Sequence, residues 1–288
     1  LFITILNLSF FESAHVEEFT FNTPEIEVRN NGNIYKSLKR GKIITDNQIE
    51  ITSNNFEYYK KTNELKAAGD VQLVDRKNNI IINAKKIIYL KNDEKIYTSG
   101  QTTVKISNKY TLNGFDLILL RNEMILLSDR QAIINDNLSN IYKLGEFEYY
   151  INKETLKGKN IEITSNNNKS KIDKLFFDTG FFNLKEKKFL AKNINIEFHK
   201  TLFGNNKNDP RINAVSGVGD ESNTFFKKGV FTSCKKTDKC PPWKIRSKKI
   251  HHDKTKKQII YRDAWLDVYD IPVVYFPKFF HPGPSVKR

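Results

Sequence analysis

A repeat of about thirty residues constrains the fold of this chain more than any other feature of its sequence. From Thr45 onward, pairs of aromatic or aliphatic residues recur at this spacing. The pairs are Tyr58-Tyr59, Ile88-Tyr89, Ile118-Leu119, Tyr149-Tyr150 and Phe176-Phe177. Small or turn residues keep the same period at Gly69, Gly100, Asp129 and Gly158. A repeat of this length indicates one supersecondary unit that is stacked several times.

The pattern inside each unit has a period of two, which is typical of strands with one buried face. In residues 80–85, for example, Ile80, Ile82 and Ala84 share one face. Polar turns such as Lys91–Glu94 separate the alternating segments. Helical periodicity is scarce, so the sequence predicts an all-β protein made of antiparallel strands in hairpins.

Each unit has room for two strands and two turns, which form either a hairpin or one V-shaped rung of a folded-over antiparallel sheet. Stacked rungs place one side chain of each alternating pair in a shared interior and the other in water. This arrangement predicts that Tyr89 faces inward and Lys91 faces outward. The residues alone leave open whether the interior is a filled core or a groove, although a filled core is the usual outcome.

The charge of the chain points to a polyanionic partner. Among 288 residues the formal net charge is +15 and the pI is near 9.5, while 39% of the residues are hydrophobic, enough for a sizeable core. Nucleic acid, an acidic membrane and a phosphorylated glycolipid all fit such a charge. The lysines are scattered singly and form no dense basic helix, which disfavours nucleic acid.

The sequence offers little support for catalysis. It contains no Gly-x-Ser-x-Gly, no His-Glu-x-x-His and no phosphate-binding loop, and no helical pattern follows Gly217-Val-Gly219. A polysaccharide-degrading enzyme would need two carboxylates together on one face, and the pattern shows none. We therefore predict a protein that is not an enzyme and that has no cofactor.

The N-terminal residues 1–14 form an apolar run that is too short to span a bilayer as a helix. The run fits the apolar core of a secretory signal peptide whose charged start is missing, with cleavage after Ala14. We interpret it as a partial signal peptide, which predicts export. The alternative is a buried first strand, which the polar Asn7, Ser9 and Glu12 disfavour.

The C-terminal residues 261–288 start as an alternating strand and change character at Pro272. Pro272, Pro277, Pro282 and Pro284 lack a backbone donor, which confines this stretch to an edge strand or to short pieces. The residues between the prolines are too apolar for an ordinary solvated linker. They are Val273, Val274, Tyr275, Phe276, Phe279 and Phe280.

Cys234 and Cys240 are the two cysteines of the chain, and their spacing can close a small disulfide loop. Free thiols or intermolecular bonds remain the alternatives. The cysteines and the pair His251-His252 have the atom types of a zinc site. Adjacent histidines on a strand point to opposite faces, however, so we predict no metal site.

Five segments in the last part of the chain resemble the junction region of the LPS-assembly protein LptD family, closest to its alphaproteobacterial form. That family carries a Cys-containing turn, a Pro-x-Trp-x-Ile strand, a His-Asp turn and a Val-Pro-Val-x-Tyr-x-Pro run ending in His-Pro-x-Pro-x-Val-Lys-Arg. The order and spacing match over about sixty residues. The matching segments are Phe231-Thr-Ser-Cys234, Cys240-Pro-Pro-Trp-Lys-Ile245, Ile250-His-His-Asp253, Ile271-Pro-Val-Val-Tyr-Phe-Pro277 and His281-Pro-Gly-Pro-Ser-Val-Lys-Arg288.

The resemblance implies an OstA-like periplasmic β-jellyroll over residues 15–228 and final strands with a proline-rich junction over residues 229–288, before an outer-membrane barrel. It further implies that the interior is a trough for the acyl chains of lipopolysaccharide. The expected wall residues are Phe56, Tyr58, Leu65, Val71, Leu73, Ile82, Ile87, Tyr89, Val104, Phe115, Leu117, Leu126, Tyr149, Ile161 and Phe177. The expected junction residues are Pro272, Tyr275, Phe276, Pro277, Phe279 and Phe280.

The resemblance also implies partners and a location. These are lipopolysaccharide, a periplasmic OstA-like bridge protein that pairs with an edge strand within residues 19–35, and an outer-membrane lipoprotein that binds the barrel. In the family, cysteines of the periplasmic domain can bond to cysteines of the barrel. The location is the periplasmic side of the outer membrane. The alternative that remains open is a periplasmic β-solenoid scaffold with a filled core and no lipid ligand.

Overall fold

The computed structural model describes residues 19–168, 171–203, 207–237 and 241–283, and it confirms the all-β prediction. Two short 3₁₀ turns, Ile151–Lys153 and Lys200–Phe203, accompany the strands in this part of the chain. The strands are β1 (Phe19–Asn22), β2 (Glu27–Arg29), β3 (Ile34–Ser37), β4 (Gly41–Thr45), β5 (Ile49–Ser53), β6 (Asn55–Tyr59), β7 (Glu64–Asp75), β8 (Ile80–Leu90), β9 (Lys95–Ile106), β10 (Tyr110–Phe115), β11 (Ile118–Leu120), β12 (Ile125–Ser128), β13 (Ala132–Asp136), β14 (Ile141–Leu144), β15 (Glu146–Tyr150), β16 (Thr155–Asn168), β17 (Lys171–Asn183), β18 (Lys188–Glu197), β19 (Arg211–Gly219), β20 (Asn223–Thr232), β21 (Trp243–Asp253), β22 (Gln258–Val268) and β23 (Ile271–Pro282).

The strands form one antiparallel sheet that is folded over on itself, as a jellyroll-like fold requires. Strand β7 shows the folding most clearly, because it pairs with β6 through residues 64–68 and with β5 through residues 72–75. The other long strands, β8, β9 and β16 to β23, likewise contribute one end to each layer. We call the layer that contains β6 and β15 half-sheet A, and the layer that contains β5 and β14 half-sheet B.

The two half-sheets meet at a crease, where every second long strand bends at a residue with positive φ. These residues are Asp70, Gly100, Asn160, Asn193, Lys228 and Asp263, with φ between 49° and 77°. The inner side of the crease carries small residues in cross-strand register, namely Gly158, Gly180, Ala191 and Gly217. A Cβ atom on Gly180 would lie 2.3 Å from the Phe182 ring of the same strand and 3.1 Å from Ile161 across the crease, so this position requires glycine.

The same bend explains why Phe115 does not face the interior as predicted. Its side chain is 47% exposed, while the flanking Gly114 and Leu117 are buried. Asp116 has a φ of 50°. The bend at this residue places two residues, instead of one, between the inward-facing Gly114 and the next inward-facing residue, Leu117. The alternation therefore restarts after the bend, and Phe115 points outward.

The interior is filled in the first half of the sheet. Leu73, Ile82 and Tyr89 are almost completely buried between the half-sheets. Phe19 packs against Tyr58 with ring centroids 4.6 Å apart and against Tyr89 at 6.1 Å. The first half of the chain therefore has the dense core of an ordinary β-sandwich.

A buried ionic cluster joins the open rims of the half-sheets in this filled part. Arg121 of half-sheet A donates to Asp75 of half-sheet B at 2.6 Å and to Glu94 at 2.8 Å. Lys91 lies 2.8 Å from Asp46 and 3.2 Å from Glu94. We call these five residues the clasp. The prediction that Lys91 faces outward is wrong, because its turn folds over the end of the core and its ammonium group meets two carboxylates.

Burial by itself would raise the pKa values of the Asp75 and Glu94 carboxyls. The hydrogen bonds and charge of Arg121, together with hydrogen bonds from Asn78 to Asp75 and from Tyr89 and Lys91 to Glu94, outweigh this effect, so each pKa lies below its ordinary value. A second contact across the rims follows further along the sheet, where Lys109 and Tyr110 reach Glu154 at 2.7 and 3.0 Å. Both contacts keep the filled half closed.

We predict that Arg121→Met destabilises the protein by about 3–5 kcal/mol at neutral pH, because Asp75 stays buried without a cation and Glu94 keeps only Lys91. Urea unfolding measures this change. Depressed carboxyl pKa values stabilise the wild type above pH ~4, and this stability is lost as the pH falls through the folded-state values. The difference between variant and wild type should therefore shrink at acidic pH.

Arg76→Met is the matched control, since Arg76 is mostly exposed and pairs with Glu50 on the surface. It should change the stability by less than ~1 kcal/mol. Equal losses in the two variants would show that the clasp does not hold the rims together.

Candidate functional site

An interior groove of about 540 Å³ opens between the half-sheets in the second half of the chain. Leu175, Phe182, Phe189, Phe198 and Phe226 line it with apolar surface. Several inward residues beside the groove, among them Leu175, Phe189 and Phe198, are only partly buried. The sandwich is thus closed at one end and open at the other.

The apolar inner face continues through β17 and β18 beyond the filled core, with the alternation shifted by one residue at the crease between Phe177 and Gly180. Phe177, Phe182 and Phe189 all face inward, and they form one aromatic cluster along the wall. The ring centroids of Phe177 and Phe182 lie 5.3 Å apart, and those of Phe182 and Phe189 lie 6.3 Å apart. This cluster gives the groove a smooth apolar wall without hydrogen-bonding groups.

The ion pairs at the rims of the groove join residues of the same half-sheet, whereas the clasp joins residues of the two half-sheets. In half-sheet A, Lys187 contacts Glu221 at 2.5 Å. In half-sheet B, His199 contacts Asp173 at 2.9 Å, and Lys236 contacts Glu197. Because these ion pairs do not cross between the layers, they leave the mouth of the groove open.

The mouth of the groove carries three lysines on the side of half-sheet A. Lys187, Lys188 and Lys254 line the groove together with the apolar wall, and the first two form surface ion pairs with Glu221 and Glu186. Lys254 donates to the backbone carbonyl of Asp220 at 2.9 Å, which holds its side chain at the rim. An apolar interior with cations at its mouth suits a ligand that has an apolar body and an anionic head.

The two adjacent histidines of β21 point to opposite faces. His252 lines the groove, and burial there lowers its pKa to about 4, so the ring is neutral at pH 7. His251 points outward and stacks on Phe225 with ring centroids 4.2 Å apart. Within the described ranges, no group of three or more His, Cys, Asp or Glu residues could hold a metal ion.

Strand β23 carries the predicted junction residues and lies beside the groove, where the ring centroid of His281 is 5.9 Å from that of the groove-lining Phe231. None of its own residues lines the groove. Phe276 and Phe279 lie opposite the inward-facing Ala264 and Tyr261 of β22. The ring centroids of Phe276 and Phe279 are 5.3 Å apart. Tyr275 and Phe280 point outward and are exposed. Pro272 and Pro277 lie in this strand, which pairs with β22 at the end of the described sheet. One face of the junction segment therefore belongs to the interior, and the other faces solvent.

The predicted wall residues lie mostly in the filled half. All fifteen except Phe115 are buried, and Phe177 alone among them lines the groove. Sequence reasoning missed Leu175, Phe182, Phe189, Phe198 and Phe226. The alternation of apolar residues continues through β17 and β18, and that signal was available in the sequence. The paired-residue repeat, however, ends at Phe177.

Two predictions fall partly or wholly outside the described residues. Cys234 is partly buried, and its Sγ lies 3.5 Å from the Trp243 carbonyl oxygen. Cys240 is outside the described ranges, so the Cys234–Cys240 disulfide stays a prediction. The proposed signal peptide, residues 1–14, is also outside them.

A larger depression of about 620 Å³ lies on the outer side of the crease, beside Phe147 and Phe181. Its walls include Glu148 and Lys157, which pair with each other at 2.8 Å. The second layer does not cover this depression, so it encloses a ligand less well than the interior groove does.

Comparison with known proteins adds no identification, since no protein-family model and no curated protein matches this chain. In the part of the chain that the structure describes, no helix has the length and apolar character needed to cross a membrane. The groove itself is therefore the basis for a functional proposal.

We predict that His252 titrates at a pH of about 4, because burial in the groove wall lowers its pKa. NMR titration of its ring carbon measures this value. Between the ordinary value of 6.5 and about 4, the unfolded chain binds the proton more readily than the folded protein. Stability should therefore fall as the pH drops through this window, and His252→Phe should remove that part of the loss. A midpoint near 6.5 would contradict the buried position.

Proposed function

We propose that this chain binds a lipid, with the acyl chains in the interior groove and the anionic head at its basic mouth. The single observation that supports the proposal is the open, apolar second half of the interior, beside a filled first half. In a filled sandwich the inner-face side chains of Phe189 and Leu175 would be fully buried, whereas here they are partly exposed. A lipid chain would cover them.

The energetics favour an acyl chain as the occupant. Each buried methylene group contributes about 0.8 kcal/mol, so a chain of ordinary length gains enough to offset its lost freedom. Lys187, Lys188 and Lys254 would then contact phosphate or carboxylate groups at the mouth. Lysine suits this role because its compact charge stays hydrated at the rim while its stem covers apolar surface.

We propose lipopolysaccharide as the lipid, and the outer-membrane lipopolysaccharide transport and assembly machinery as the setting. The support for this finer assignment is the resemblance of the last part of the chain to the LptD junction. The matching segment Ile271–Pro277 lies in β23, and Phe276 and Phe279 of this strand would meet the lipid after it leaves the groove. Guidance of this kind is passive, and the location would be the periplasmic face of the outer membrane.

The proposed bridge protein would pair with the first edge of the sheet. Strands β1 and β2 each have one neighbour among the described strands, β4 and β3 respectively. Their other sides could accept a strand from an OstA-like partner by β-augmentation. The lipoprotein partner of the barrel would bind beyond β23.

A scaffold with no lipid ligand is the alternative function, and the dense packing of the first half favours it. The two proposals differ in the second half, where a scaffold would leave the groove empty. If the chain binds a lipid, the lipid enters the interior after Glu154. At this point the described contacts between the two rims end and the groove opens.

Site-specific photocrosslinking tests the lipid proposal. A photoreactive residue at Phe189 should form lipopolysaccharide adducts in cells that make this lipid, because its side chain lines the groove. The matched control is Asn213, which is exposed on the outer face of half-sheet B. Adducts at neither position in a folded, exported protein would favour the scaffold.

We also predict that Leu175→Trp weakens lipopolysaccharide binding about tenfold, because the larger ring displaces roughly two methylene groups of the ligand. Leu175 is only partly buried, so the fold should tolerate the change. Titration with lipopolysaccharide measures the affinity, and Asn213→Trp is the control. An unchanged affinity for the Leu175 variant would place the lipid elsewhere.

A further inference from the structure

The outer face of half-sheet A carries a continuous row of apolar side chains across β17 to β23. Phe181, Leu190, Val218, Phe225, Ile260 and Phe280 lie in cross-strand register, with the ring of His251 between Phe225 and Ile260. Five of them, all but Ile260, are between 45% and 58% exposed. Seven strands at about 4.8 Å spacing make this outer apolar row roughly 29 Å long.

A second row of outward-facing residues lies two residues closer to the crease along each strand, and its side chains are basic. Lys192, Lys227, Lys249, Arg262 and Lys278 are all exposed there. In the residues that the structure describes, none of these five cations takes part in an ion pair, although 24 ion pairs occur elsewhere. We call these residues the outer basic row.

The acidic groups of this face are already satisfied by their neighbours. Glu186 pairs with Lys188 at 2.8 Å, and Glu221 pairs with Lys187 at 2.5 Å. Asp178 accepts a hydrogen bond from the Asn193 side chain. Asp220 and Asp253 accept hydrogen bonds within their own turns. The three aspartates keep their charge, because their hydrogen bonds come from neutral groups, but the five unpaired cations of the outer basic row outnumber them, so the unpaired charge of the face is net positive.

Ordinary roles for surface residues do not account for these two rows. Lysines often protect an exposed sheet edge, but Lys192, Lys227 and Lys249 lie on strands that are paired on both sides. Half-exposed apolar residues are common as single occurrences, but a contiguous row marks an interaction surface. A second copy of this face would bring two basic rows together, which disfavours a homodimer.

We infer that the outer face of half-sheet A docks on an anionic lipid bilayer. The apolar row would enter the boundary between headgroups and acyl chains, and the basic row would contact the lipid phosphates. A flat row one residue wide fits a deformable lipid surface better than a protein partner, whose hot spots need deep pockets. This inference goes beyond lipid binding in the groove, since it uses the opposite face of the same strands.

Flotation with lipid vesicles tests the inference. The wild-type chain should bind vesicles that contain phosphatidylglycerol and ignore vesicles of pure phosphatidylcholine, and added salt should weaken the binding. Replacing Lys192, Lys227 and Lys249 with Gln should lower the affinity on the order of 100-fold. The control replaces Lys77, Lys105 and Lys174, which are also exposed and unpaired in the described structure but lie outside this face.

A second variant tests the apolar row without a change of charge. Leu190→Thr with Phe225→Thr keeps good strand formers at exposed positions and should weaken vesicle binding roughly tenfold. Circular dichroism and urea unfolding confirm that each variant folds. Leu175→Trp in the groove should leave vesicle binding unchanged, which separates this inference from the proposed function.

Three outcomes would overturn the inference. The first is equal binding to neutral and anionic vesicles, and the second is no binding to either. The third is an equal loss in the two triple lysine variants, because net charge alone would then explain the attraction. In the second case an acidic protein, rather than a bilayer, would be the partner of this face.

Discussion

The structure depends on a bend that recurs at the same level in every second long strand. A sheet this wide would be flat or gently twisted if its strands were straight. The left-handed conformations at Asn160, Asn193, Lys228 and Asp263 instead fold it into two layers. Gly158 and Gly180 then leave room for the Phe182 and Ile161 side chains at the crease, because a Cβ atom on Gly180 would lie 2.3 Å from Phe182 and 3.1 Å from Ile161. One local backbone device thus creates the interior, its rims and its two outer faces.

Electrostatics decides which part of this interior closes. In the first half, Arg121 and Lys91 meet carboxylates from the opposite layer, so their charges pull the rims together over a filled core. In the second half, Lys187 pairs along its own rim, and the layers stay apart. The difference lies in a few side chains at turns, and it does not require a different strand arrangement.

The period-two alternation of the sequence predicts the strands and their buried face well, but it predicts the groove poorly. Alternation alone places Leu73, Ile82 and Tyr89 inside, because burial of one strand face requires an apolar residue at every second position of the sequence. It fails at Phe115, where a bend that no local motif announces shifts the parity. It also fails at Lys91, because a charged residue in a polar turn looks solvated until its partners from distant strands are known. The groove could not be predicted at all, since an inward Phe has the same pattern whether or not another side chain covers it.

The inner and outer faces of half-sheet A are coupled because successive residues of one strand serve both. On β18, Phe189 lines the groove and Leu190 belongs to the outer apolar row; on β20, Phe226 and Phe225 divide in the same way. The apolar row lies between the basic row and the rim that carries Lys187 and Lys254. Contact of this face with a bilayer would therefore bring the open mouth of the groove next to the lipid. A folded sheet with two apolar faces can hold a lipid inside and a membrane outside through the same few strands.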